Sequence, residues 1–118
     1  NNDCLDFSFG KYEIKKGDIA DCKDKGISAG ELSILNVINL NIKDSKSAVT
    51  SKDYAQVFIK DSMFNNVKYC LQSYNKKQEF SGGFIKAENI ICNNFEKKLQ
   101  VDKASKIVKT NFIANNEF

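Results

Sequence analysis

The stretch Ile27-Ser28-Ala29 returns 22 residues later as Val49-Thr50-Ser51 and, after the same interval, as Leu71-Gln72-Ser73. Leu5-Asp6-Phe7 precedes this series by 22 residues, and Leu99-Gln100-Val101 follows it after 28. The outer residues of each triplet are mostly apolar or small and the middle residue is polar, an alternation typical of a strand with one buried face. A repeat of this length indicates a solenoid.

A second set of positions repeats at nearly the same interval. Five apolar residues are each followed two positions later by Asp or Asn: Ile19, Ile42, Phe64, Ile91 and Ile113 by Asp21, Asp44, Asn66, Asn93 and Asn115. Asp and Asn tolerate the left-handed backbone region and bond their own main chain. The pattern therefore predicts a tight corner in every coil.

Further apolar positions lie between these two sets. Leu35 and Val37 recur as Val57 and Ile59, and we expect their equivalents in other coils at the positions Ile14 and Val108. Each coil thus holds about three short strands, which leaves no room for a helix. The sequence predicts an all-β parallel β-helix of about five coils of about 22 residues, stacked about 4.8 Å apart.

The chain has 118 residues, a length typical of one domain, and we expect residues 1–118 to form a single β-helix domain. Its first residues already lie in a strand pattern, and Phe118 lies just past a predicted corner. We therefore expect a fragment of a longer β-helix, whose open coil ends could contact other chains.

The composition argues against several classes of function. All 18 cationic side chains are Lys, His is absent, and the net charge is only +3. Both signs of charge are interspersed along the chain, which does not favour nucleic-acid binding. No apolar run approaches the length of a membrane span.

The four cysteines are expected to be free thiols. Cys4 and Cys70 fall in one column, three coils or roughly 14 Å apart at the stacking distance, and a disulfide spans at most about 7 Å between Cα atoms. Cys22 and Cys92 are placed near corners of different coils. No C-x-x-C spacing or His supports a zinc site.

The chain resembles right-handed parallel β-helix proteins of the pectate-lyase-like superfamily. The resemblance covers nearly the whole chain and is carried by three segments: Asn2-Asp3-Cys4-Leu5-Asp6-Phe7-Ser8, Asp24-Lys25-Gly26-Ile27-Ser28-Ala29-Gly30-Glu31-Leu32-Ser33 and Ser51-Lys52-Asp53-Tyr54-Ala55. It implies a bacterial protein of the cell envelope or the extracellular space, associated with polysaccharide. Lyases of this superfamily use Arg or Lys with calcium, and its hydrolases use paired Asp residues. This chain has neither Arg nor such a pair, so we assign no catalytic residue in this segment.

The turn after the first strand of each coil offers a candidate metal site. The register places Glu31 in the coil next to Asp53, with Lys52 nearby. Two stacked carboxylates repel each other unless a cation lies between them, and calcium would suit oxygen ligands. The alternative is a solvated corner in which these carboxylates cap backbone amides and pair with Lys.

A second candidate is the column formed by the middle residues of the triplets. It is polar throughout and is flanked by longer side chains; together they are Asp6, Ser28, Thr50, Gln72 and Gln100, with Lys25, Lys52 and Tyr74 beside them. Hydroxyl and amide groups at this spacing suit a sugar chain, and Tyr74 could stack on a pyranose ring. Plain solvent exposure is the alternative.

The longer interval between Leu71 and Leu99 predicts a loop insertion over about 74–83. Insertions in solenoids map to loops on one face, often the binding face. Lys76 and Lys77 would present positive charge there, suited to an anionic glycan. An inert bulge over the sheet edge is the alternative.

We therefore expect a polysaccharide-binding or polysaccharide-associated module without an active site, with Asp6, Lys25, Thr50, Lys52, Gln72, Tyr74, Lys76 and Lys77 as the binding residues. A structural or assembly scaffold is the competing class. A fragment of a calcium-assisted polysaccharide lyase or epimerase is the third.

Overall fold

The computed structural model describes residues 2–116, and within them the chain forms eight β-strands and no helix. The strands are β1 (Leu5–Ser8), β2 (Lys11–Ile14), β3 (Gly17–Gly30), β4 (Ile34–Ile38), β5 (Leu40–Lys52), β6 (Gln56–Tyr74), β7 (Phe84–Val101) and β8 (Lys106–Asn115). All of their pairings are parallel. The predicted parallel β-solenoid is confirmed.

The predicted inward column is also confirmed. Leu5 pairs with Ile27, Ile27 with Val49, Val49 with Leu71, and Leu71 with Leu99. Ile27, Val49 and Leu71 are completely buried, and the two end members are partly buried against them. Each coil therefore buries its apolar side chains largely against its neighbours, as expected of a solenoid.

The long strands bend at corners where Asp or Asn adopts a positive φ. Asp21, Asp44 and Asn66 occupy this corner as predicted. In the next coil, however, the corner residue is Asn94, with a φ of 54°, and the prediction of Asn93 is wrong by one position. A shift of one residue moves every side chain to the opposite face of a strand.

This shift changes which residues face the core. Phe64 pairs with Cys92, and Ile91 lies opposite Met63 on the outer surface. Ile91 and Ile113, two apolar residues of the predicted corner pattern, are 36% and 47% exposed. Cys92, in contrast, is completely buried.

The third side of the solenoid contains β2, β4, the first part of β6, and the matching parts of β7 and β8. Leu35 and Val37 stack on Val57 and Ile59, and Ile14 pairs with Val37, as predicted. The prediction for Val108 is wrong, because β8 places the neighbouring residue, Ile107, over the core residue Ile85. A second ladder of corner residues ends this side: Asn39, Asp61, Asn89 and Asn111, all with positive φ.

The expectation of four free thiols is wrong, because all four cysteines form disulfides. Cys70 and Cys92 lie in adjacent coils with their Cα atoms 6.3 Å apart, and both face the core. Cys4 bonds to Cys22, with Cα atoms 5.4 Å apart, next to an irregularity in β3 between Cys22 and Lys25. Cys92 lies near the corner residue Asn94, but it faces the core there and reaches Cys70 in the adjacent coil.

Candidate functional site

The wall formed by β3, β5, β6 and β7 has a concave outer surface. In β5 the consecutive residues Ala48 and Val49 both belong to the core, which interrupts the alternation of a regular strand. The hydroxyls on either side of them, those of Ser47 and Thr50, meet at 2.9 Å. Because two successive side chains face inward, their flanking residues converge on the outside.

Close backbone approach accompanies this bend. Gly26 precedes the core residue Ile27, as Ala48 precedes Val49 one coil later. A Cβ atom at Gly26 would lie 2.7 Å from the carbonyl oxygen of Ala48 and 2.7 Å from Cγ2 of Ile42. A side chain at this position would therefore push adjacent coils apart.

The predicted polar column lies in this concavity and is largely bonded to itself. Thr50 Oγ1 donates a hydrogen bond to Gln72 Oε1 at 3.0 Å, and Gln72 Nε2 donates to Gln100 Oε1. Ser28 and Thr50 are completely buried, and Gln72 is 8% exposed. The stacking of the column was predicted correctly, but its middle members are not freely exposed to solvent.

An open groove of about 610 Å³ runs over the column, and we call it the polar groove. Its walls combine amides, lysines, aspartates and one tyrosine: Asp24, Lys25, Lys46, Gln72, Tyr74, Gln100, Val101 and Asp102. Three of the predicted binding residues, Lys25, Gln72 and Tyr74, thus meet in one groove. Thr50 lies beneath them and orients Gln72.

The remaining predicted binding residues lie around this groove. Lys52 lies opposite Tyr74 in the adjacent strand, at the end of the wall. Asp6 lies opposite Ser28, in the coil on the other side. Lys76 is exposed in the insertion. Lys77 forms an ion pair with Glu31, with Nζ and Oε1 2.7 Å apart, which raises the pKa of Lys77.

The lysines of the groove have different environments. Burial alone would lower the pKa of Lys25, but its hydrogen bond to Asp24 and the negative charges of Asp3 and Asp24 raise it overall. For Lys52, burial and the nearby charges of Lys76 and Lys25 lower the pKa. The charges of Asp6 and Asp3 offset this lowering at Lys52 only in part.

The hydroxyl of Tyr74 stays protonated to a higher pH than usual. Burial raises its pKa, and this outweighs the opposing charge of Lys25. A neutral phenol can both donate and accept a hydrogen bond. Tyr74 therefore offers the polar groove an aromatic face and a hydroxyl.

The insertion occupies the predicted place. Three residues separate Lys52 from Gln56, whereas nine separate their partners Tyr74 and Phe84. We call residues 75–83 the insertion loop. At its end Gly83 lies against the backbone of Ser51, where a Cβ atom would clash.

The insertion loop folds over Asp53, which is completely buried. Oδ1 of Asp53 accepts hydrogen bonds from the backbone N–H groups of Lys76 and Lys77, at 2.7 and 2.9 Å. Glu31, the other predicted metal ligand, pairs with Lys77 instead. Among residues 2–116, no cluster of three or more His, Cys, Asp or Glu side chains could hold a metal ion.

Sequence reasoning did not select Asp24, Lys46 or the two cysteine pairs. Asp24 precedes Lys25, and Lys46 precedes Ser47, the partner of Lys25 in the next coil, so the repeat register could have indicated both. Their approach to the groove depends on the concave bend, which the alternation of polar and apolar residues does not show.

No family model, no curated protein and no solved structure matches this chain. Residues 2–116 contain no helix of the length and apolar character needed to cross a membrane.

Proposed function

We propose that this chain is a polysaccharide-binding module that holds a uronate-containing glycan in the polar groove. The observation that carries this proposal is the meeting of amides, a neutral tyrosine and lysines in one open groove of about 610 Å³. Sugar hydroxyls both donate and accept hydrogen bonds, as do the side chains of Gln72, Gln100 and Tyr74. The self-bonded column beneath holds these groups in place before a ligand arrives.

Charge supports an anionic sugar at the end of the groove nearest the insertion loop. The lowered pKa of Lys52 reflects burial and the neighbouring charges of Lys76 and Lys25. A carboxylate bound there would reduce the repulsion among these ammonium groups. Along the groove itself Asp24 and Asp102 balance the charges of Lys25 and Lys46, which suits the neutral hydroxyls of the sugar rings.

The disulfides support a location outside the cytoplasm. Disulfides form and persist in oxidising compartments and are rare in the cytosol. Both pairs join parts of the chain that the fold brings together, at Cα separations within the usual range. We therefore propose an extracellular or cell-envelope location, as the resemblance to pectate-lyase-like proteins also implies.

Titration calorimetry with a uronate oligosaccharide and a neutral oligosaccharide of equal length tests this function. We expect tighter binding of the uronate, weakened by added salt because exposed charges are screened over about 8–10 Å. Lys52→Gln and the pair Lys76→Ala with Lys77→Ala should each weaken binding about two- to fivefold, as loss of an exposed ionic contact does. Tyr74→Ala should weaken the binding of both oligosaccharides.

The pKa of Lys52 provides a matched control. As the pH rises toward 10.5, Lys52 loses its proton before an ordinary lysine does, so uronate binding should weaken in that range. Lys52→Arg keeps its charge there and should retain the binding. Lys109 is an exposed lysine of β8. The control variant Lys109→Ala should bind the uronate as the unmodified chain does at each pH. Binding of neither sugar, or binding indifferent to Lys52 and Tyr74, would reject the proposal in favour of the scaffold.

A further inference from the structure

The side-chain amide of Asn75 lies at the centre of an unusual group of oxygen atoms. Its nitrogen Nδ2 is 2.8 Å from the carbonyl oxygens of both Phe80 and Ser81 and 3.0 Å from that of Lys77. It is also 3.4 Å from Oδ1 of Asp53. An amide nitrogen carries only two hydrogens, so four acceptors around it exceed what it can satisfy.

The carboxylate beside this group is incompletely satisfied. Asp53 is completely buried, and within residues 2–116 its Oδ2 has no hydrogen-bond partner. Its other oxygen, Oδ1, accepts the backbone N–H groups of Lys76 and Lys77. A buried carboxylate oxygen without a partner is costly, and such an atom needs an explanation.

A small cation would satisfy both features at once. Backbone carbonyls, Asp carboxylates and Asn side-chain oxygens are the ligands that Ca²⁺ takes, in sets of six to eight that can include water. Three carbonyls converge here from one loop, beside a carboxylate and an amide that can turn its oxygen toward the same point. Mg²⁺ suits the place less well, because it demands a stricter octahedron and retains its waters.

We propose that the insertion loop is a calcium-binding loop, in which Asp53, Asn75 and the carbonyls of Lys77, Phe80 and Ser81 hold one Ca²⁺. The cation takes the position now filled by the amide nitrogen, and Asn75 rotates to present Oδ1. The carboxylate of Asp53, whose Oδ1 lies 3.4 Å from that nitrogen, turns to bring Oδ2 to the cation while Oδ1 keeps the backbone N–H groups of Lys76 and Lys77. Glu31 is not a ligand in this arrangement, since it pairs with Lys77. The proposal is independent of the polar groove and of its ligand.

Terbium luminescence sensitised by tyrosine is the direct test, because Tyr54 follows Asp53 and Tyr74 precedes Asn75 in the chain. The whole chain, treated with a chelator and then titrated with Tb³⁺, should show saturable emission that Ca²⁺ displaces and Mg²⁺ displaces less well. Calorimetry with CaCl₂ should give one site per chain. Trypsin should cleave after Lys76 and Lys77 more slowly when Ca²⁺ is present.

Two variants with opposite expected effects keep the test decisive even if one of them folds poorly. Asp53→Asn should weaken Ca²⁺ binding about tenfold or more, because it removes the only charged ligand, whereas Asn75→Asp should strengthen it by adding a second. Asp61→Asn is the matched control, an exposed corner aspartate on another side of the solenoid, and should change nothing. The absence of saturable Ca²⁺ or Tb³⁺ binding by the unmodified chain would overturn the proposal, as would an unchanged affinity in Asn75→Asp.

Discussion

Leu71 and Gln72 are adjacent in β6 and belong to two columns that run side by side through the same coils. The inner column stacks Ile27, Val49 and Leu71, and the outer column stacks Ser28, Thr50 and Gln72. Both columns are buried. The inner one is stabilised by removal of apolar surface from water. In the outer one a hydrogen bond joins Thr50 to Gln72, and within residues 2–116 the hydroxyl of Ser28 has no partner.

This difference determines how each column responds to substitution. A truncated inner residue leaves a cavity that a close-packed core fills only partly. A truncated outer residue leaves a hydrogen-bond partner unsatisfied, but the neighbouring groove admits water. The inner column should therefore determine stability, and the outer one the shape of the groove.

The largest expected effect is that of Leu71→Ala, which should lower the free energy of unfolding by about 2–5 kcal/mol. Gln72→Ala should cost about 2 kcal/mol, because it removes two hydrogen bonds with a usual net value of about 1 kcal/mol each. Urea denaturation followed by circular dichroism measures both. Equal losses would show that the outer column is as much a part of the core as the inner one.

The inner column could be predicted from the sequence because its members are large, apolar and regularly spaced. Away from this column the register failed at Val108, one position from the core residue Ile107, and at Ile90-Ile91-Cys92, where three consecutive apolar residues hide the alternation. Ile90 and Cys92 face the core and Ile91 faces outward. The Cys70–Cys92 disulfide depends on this local register and on the inward position of Cys70, which lies next to the core residue Leu71.

The candidate site was less predictable, for a geometric reason. The concavity depends on Ala48 and Val49 both facing inward, and a small residue such as Ala48 is compatible with either face. The sequence identified Lys25, Gln72 and Tyr74 as neighbours but not the burial of Thr50. Likewise, it placed Asp53 at a turn but did not show that a loop would cover it.

The two disulfides extend the comparison of inner and outer positions. They close loops of similar length, with sequence separations of 18 and 22, so the entropic contribution should be about 3 kcal/mol for each. Cys70 and Cys92 are completely buried, whereas Cys4 is exposed. A mild reductant should therefore open Cys4–Cys22 in the folded protein and spare Cys70–Cys92.

Timed alkylation with mass spectrometry measures this order of reduction. Without reductant, the denatured chain should show no titratable thiol. The paired variants Cys4→Ala with Cys22→Ala and Cys70→Ala with Cys92→Ala give the cost of losing each disulfide in urea denaturation. Simultaneous reduction of both pairs in native buffer would show that the core opens as readily as the end of the solenoid.

The smallest expected effect lies at the rim of the polar groove, where Asp102 accepts a hydrogen bond from the backbone N–H of Asn75 at 2.8 Å. Burial is the largest single influence on the carboxyl of Asp102 and raises its pKa, but hydrogen bonds from Ser105 and from the backbone N–H groups of Asn75 and Ala104 together lower the pKa below its usual value. A carboxyl whose pKa is lower in the folded state stabilises that state at any pH above its pKa in the unfolded chain. This contribution is lost as the pH falls through the pKa of the folded state. At pH values below about 4 the free energy of unfolding should therefore decrease, by less than about 1 kcal/mol because the group is exposed.

Asp102→Asn, which keeps a hydrogen-bond acceptor but cannot titrate, should remove this part of the acid dependence. Urea midpoints measured across that pH range test this. If the variant and the unmodified chain lose stability in parallel, the hydrogen bonds to Asp102 do not anchor the start of the insertion loop, and the outer wall depends on its neutral column alone.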